Sequence, residues 1–121
     1  MTTPYDPKPV RLVVEQIICF RRDVSYEAGR KYERESKNQF AATEEKAGDE
    51  CQLLLDAVQT YEVTDPAHFK SAVIAAAYMR HVILFGHAEK LRANGSREEA
   101  ACYQCAGTEL RYISELLAEI Q

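Results

Sequence analysis

The sequence predicts an all-α protein: a three- to four-helix bundle with a long second helix and a C-terminal antiparallel helical hairpin. Three observations lead there. The longest apolar block, Asp65 to Gly95, carries helix punctuation at both ends. Tyr32, Ser36, Phe40, Thr43, Ala47, Cys51, Leu54, Val58 and Tyr61 recur at about 3.6 residues per step, the α-helical period. Finally, a tight turn at Ala93–Ser96 leads at once into a third periodic stretch.

Taken in order, residues 1–9, with Pro4, Pro7 and Pro9, read as an extended tail, and residues 10–121 as one domain. Val10, Val13, Val14, Ile17 and Ile18 fit one face of a helix, although the β-branched content of residues 10–22 also allows a strand. The long helix runs from Ser25 to about Tyr61. After a break at Val63–Thr64, Asp65 supplies an N-cap and Pro66 a first helical residue whose missing N–H costs nothing there. Asn94-Gly95 is a left-handed stop. Between these ends the apolar residues leave no wide polar stripe, so this helix is expected at the centre, covered on most sides. Ser96 with Glu99 has a capping-box spacing and opens the last helix. On that helix Cys102, Ala106, Glu109, Ile113, Leu116 and Ile120 mark one edge of the inner face, widened by Tyr103, Leu110 and Leu117.

Composition narrows the function classes. A chain of 121 residues, 46 % hydrophobic and 28 % charged, can close one core without a structural metal, so no cofactor is called for. The net charge of −4 hides an uneven distribution. Residues 1–40 carry eight Lys/Arg against six Asp/Glu, residues 41–65 one against seven, and the remainder six against six. No concentrated basic face is available to neutralise phosphates, which argues against sequence-independent nucleic-acid binding. With no apolar signal core, and with Arg80, His81 and His87 interrupting the one long apolar run, neither secretion nor membrane insertion is expected. Cys19, Cys51, Cys102 and Cys105 then read as thiols of a cytoplasmic protein.

The short turn makes the last two helices antiparallel neighbours, with facing residue numbers summing to about 190. Phe69 then meets Ile120, Val73 meets Leu116 or Leu117, and Leu84 meets Ala106. The same register sets Arg80 opposite Glu109 and His87 beside Cys102 and Tyr103. These residues are the candidate polar core or ligand site. Its structural reading is an Arg80–Glu109 ion pair that penalises misalignment of the hairpin.

Arg80-His81 followed by His87 gives Arg-x6-His with a polar residue after the arginine. This resembles the motif of the HEPN family (higher eukaryotes and prokaryotes nucleotide-binding), all-helical domains of similar size, many of them RNases or RNA binders. In that family the arginine and histidine of two subunits form a shared site at a dimer interface. The resemblance implies that Arg80 holds the scissile phosphate and His87 assists proton transfer, with a nucleotide or RNA as ligand. Cys102-x2-Cys105 with His87 offers three of the four ligands that structural zinc takes. Glu44-Glu45 and Asp49-Glu50 superficially resemble the acidic helix of all-α nucleotide pyrophosphatases, but residues 66–88 hold no acid to face them across a metal.

No catalytic constellation is complete. The leading expectation is therefore a small soluble binding protein, an adaptor or inhibitor acting by protein contact; the alternative is a HEPN-like RNA- or nucleotide-binding domain or RNase. Because a straight helix from Ser25 would leave Val10, Val13, Val14, Ile17, Ile18, Tyr26 and Tyr32 poorly covered, these residues are the expected homodimer interface.

Overall fold

The computed structural model describes residues 8–62 and 65–120, folded as four helices: α1 (Lys8–Arg34), α2 (Asn38–Thr60), α3 (Pro66–Ala93) and α4 (Arg97–Ala118). No strand occurs among the described residues, and residues 10–22 are helical. The expected tail is already helical at Lys8; its first seven residues, and the break at Val63–Thr64, lie outside the described residues.

The stretch expected as one helix from Ser25 to Tyr61 is divided at Glu35–Lys37 into the end of α1 and the start of α2. Ser36 adopts a left-handed φ of 59°, and Lys37 N–H donates to the Tyr32 carbonyl at 2.8 Å, closing the end of α1. The chain therefore turns back on itself. Val14 and Ile18 enter the core, Val10 and Ile17 pack against it, the Tyr26 ring covers Gly48, and Tyr32 stacks at 5.4 Å on Phe40. That overturns the expected interface. Of its aliphatic members, only Val13 keeps an exposed side chain.

Arg11 fixes the far end of this hairpin. Its Nη2 donates at 2.8–2.9 Å to the carbonyls of Val58, Gln59 and Tyr61 where α2 ends, the Val58 carbonyl also accepting the Tyr61 N–H at 3.2 Å. The last turn of α2 has no basic residue, so α1 supplies the positive charge its C-terminus favours.

In the second hairpin the punctuation falls as expected. The Asp65 carboxylate accepts from Ala67 N–H at 3.0 Å, Pro66 starts α3, and Gly95 takes φ 84°. Ser96 makes no side-chain capping bond, so the capping box does not form. The register holds: His87 stacks on Tyr103 with ring centroids 5.6 Å apart, and Lys70 reaches the Ile120 carbonyl.

The hairpins meet mainly through α2 and α4. These run parallel, since Gln39 bonds the Glu98 carbonyl near both N-termini and Lys46 lies over Tyr103 farther along. Consequently α2 and α4, not α3, are central. α3 buries one narrow stripe of Phe69, Val73, Ala77, His81, Leu84 and Ala88, because its apolar residues are spread around the helix and only one side has neighbours.

Gly107 marks the closest approach of α3 to α4. A Cβ there would lie 2.6 Å from the Phe85 ring and 3.3 Å from the His81 carbonyl oxygen. Gly107→Ala should lower stability by about 1–2 kcal/mol despite improved helix propensity, read as a fall in the urea midpoint.

Candidate functional site

Arg80 projects from the flank of α3 that faces α2. Its Nε donates to Glu50 Oε1 at 2.7 Å and its Nη2 to Oε2 at 3.2 Å. The Glu50 side chain is 1 % exposed and that of Arg80 43 %, so a buried carboxylate is neutralised by an arginine that still reaches solvent. The expected Arg80–Glu109 pair does not form. Helix register fixes the level of two residues along a hairpin, but not their direction around each helix, and Glu109 faces α1. There Arg21 holds it through two bonds, Nε to Oε1 at 2.5 Å and Nη2 to Oε2 at 2.9 Å, while the guanidinium stacks 4.7 Å from the centre of the Tyr112 ring.

Of the remaining sequence candidates, His87 and Tyr103 do meet: the Tyr103 ring of α4 is flanked by His87 and by Lys46, whose Nζ sits 4.8 Å from its ring centre. Arg80 stands two helical turns before His87 on α3, committed to Glu50. Sequence reasoning missed Lys46 because it belongs to the acidic stretch. Glu50 is weighed in the sequence only as part of an acidic metal-holding pattern, and nothing in that pattern singles it out as the buried member.

The cysteine set does not assemble. Cys102 Sγ lies 4.0 Å from Thr43 Oγ1, and no three His, Cys, Asp or Glu side chains converge as a metal site among the described residues. Burial, with Glu44 and Glu109 nearby, pushes the Cys105 thiol up to about 11, leaving it largely protonated at neutral pH. His81, the polar position of the Arg-x6-His pattern, is buried. Its Nδ1 meets the Tyr78 carbonyl, and its ring stands edge-on between Tyr78 and Phe85. Its place on the stripe of Ala77 and Leu84 was readable from spacing alone.

The other feature is the apolar outward face of α3. On α3, Tyr78 and Val82 are 53 % exposed, Met79 64 % and Ile83 48 %, joined by exposed Ala75 and Ala76. Leu53 of α2, also exposed, lines a small pocket of about 160 Å³ with Glu50, Leu54, Arg80 and Leu110. A second, of about 150 Å³, lies between Ala57, Val58 and Tyr61 of α2 and Ala72, Val73 and Ala76 of α3.

Comparison of the chain with protein-family models, curated proteins and solved structures finds no match.

Arg80→Met should cost about 2–3 kcal/mol, because it strands the buried Glu50 carboxylate, whereas adding Glu50→Met should recover most of that loss in urea unfolding. On the opposite side of the bundle, burial and the Glu109 carboxylate raise the Glu44 carboxyl above its usual range, with Arg21 partly opposing. A raised acid binds its proton more tightly folded than unfolded, so stability falls as pH rises through the ordinary carboxylate range toward the raised value. Glu44→Gln should therefore stabilise the protein at pH 7 by a few tenths, about 0.3 kcal/mol after solvent screening. That gain should vanish below about pH 4, measured by urea titration at both pH values.

Proposed function

We propose that this chain is a small cytoplasmic regulatory protein, an adaptor or inhibitor, that acts by protein contact through the outward face of α3. The observation that carries this is the exposed Tyr78, Met79, Val82 and Ile83 surface on a helix that buries a single stripe. Scattered apolar residues are normal on protein surfaces, but a contiguous set on one helix marks a binding site. α3 is long and apolar enough to cross a bilayer by length and composition. Its Arg80 is committed to Glu50, however, and its inner stripe to α4, so a docked protein suits the remaining face better. Four unpaired cysteines are compatible with a reducing compartment.

A second reading keeps the resemblance to HEPN domains, with Arg80 and His87 serving RNA cleavage. The placing of Lys46 and His87 against Tyr103, two helical turns along α3 from Arg80, favours it. Against it, the Arg80 guanidinium is already occupied by Glu50, which lowers its availability to a phosphate.

A photo-crosslinking residue placed at Met79, with Glu115 on α4 as control, separates these in the cells that make the protein. Protein adducts at position 79 and not at 115 are expected. Their absence, together with RNA cleavage that disappears in a folded His87→Ala variant, would replace the contact reading with the nuclease one.

A further inference from the structure

Gly86 is a costly residue for its position. It lies inside α3, where glycine is about 1 kcal/mol worse than alanine, yet a Cβ there would meet nothing within 4 Å. No contact among the described residues accounts for it. A glycine of this kind permits another backbone to approach closely, and it occupies the outward face that also bears Ala72, Ala75 and Met79.

Building on the protein-contact reading, we infer that this face binds a second copy of the same chain, with α3 packed antiparallel on its counterpart about a two-fold axis at Met79. Residues equidistant from Met79 then oppose one another. Gly86 faces Ala72, Ile83 faces Ala75, and Val82 faces Ala76, so away from the axis each larger residue, and the glycine, meets a small partner, while Met79, flexible enough to adapt, meets its own copy. Interdigitation of this kind is what close helix packing needs. The pattern is self-complementary, as a two-fold interface requires.

Charge favours the same occupant. A two-fold axis brings the residues beside it near their own copies, so charges close to the axis would repel. Between Lys70 and Glu89 the one Lys, Arg, Asp or Glu is Arg80, and its guanidinium is turned aside onto Glu50. The apolar residues exposed on α1, by contrast, share their surface with charges: Phe20 and Val24 line a depression with Asp23, Glu27 and Lys31. The α3 patch exposes on the order of 500 Å² per chain, so a pair buries about 1,000 Å², the lower bound for a specific interface.

The test is charge complementation at the axis, read by sedimentation equilibrium of the full chain. Wild type should dimerise. Met79→Glu and Met79→Lys, both at an exposed position and checked for wild-type helicity, should each weaken self-association at least about 100-fold through like-charge contact and desolvation. Mixed together, the two variants should form a heterodimer. A monomeric wild type at about 100 μM, a dimer that persists in either variant, or a mixture that stays monomeric would each overturn the two-fold pairing. A monomer that still gives α3 adducts to a different protein would leave the contact function standing and remove only the second copy.

Discussion

The close parallel contact of α2 with α4 is the constraint on which the rest of the molecule depends. Neither hairpin can cover its own inner helix, so each completes the other's core through Leu54, Leu55 and Cys51 on one side and Ala106, Leu110 and Leu117 on the other. The two cross-hairpin ion pairs follow this exchange. Arg21 of outer helix α1 reaches Glu109 of α4, and Arg80 of outer helix α3 reaches Glu50 of α2. Each outer helix thus grips the inner helix of the opposite hairpin. The net stability from such pairs is small, because desolvation offsets the attraction. Their effect is on alignment, since sliding either hairpin by one turn would strand a buried carboxylate.

Much of this was legible in the sequence. Asp65, Pro66 and Gly95 have local chemical roles that do not depend on distant residues, and a two-residue stop followed at once by a new helix fixes the α3–α4 register. His87 therefore falls beside Tyr103 as expected. The turn at Ser36 was not legible, because left-handed backbone normally announces itself by Gly or Asn, and here a serine bears the strain, held by the Lys37 to Tyr32 bond. Missing that turn left Val14 and Ile18 without cover, and so produced an interface that the folded-back α1 does not have. The partners of Arg80 and Glu109 were hidden for a different reason. Arg21 and Glu109 stand 88 residues apart across three connections, beyond the reach of hairpin arithmetic, whereas Glu50 and Arg80 are 30 apart across one, and there the level along the helices does not say which side chains turn toward each other.

The assignment of α3 to the centre failed on a general point. Apolar content measures how much surface a helix would rather not expose, but burial depends on how many neighbours it has. α2 is less apolar than α3 and carries Glu44, Glu45, Asp49, Glu50 and Asp56, yet it is clasped between α1 and α4 and buries Ala47, Gly48, Cys51, Leu54, Leu55 and Val58. α3 has one extensive neighbour, α4, and meets α2 only sparsely.

That mismatch connects the fold to its function. Both hairpins expose apolar side chains, but on α1 and α2 Leu12, Phe20, Phe40 and Leu53 share their surface with most of the ionised residues, while the outward face of α3 carries almost none. A helix whose only task was to shield α4 would gain solubility from polar residues at positions 79, 82 and 83, with limited loss of internal packing, because about half or more of each residue's surface faces solvent. Met, Val and Ile at these positions, with a glycine at 86 that weakens the helix, lower the stability and solubility of an isolated chain. Such residues contribute favourably only when water is removed from them by something outside the four helices, which makes the apolar face of α3 the part of this protein whose chemistry points beyond itself.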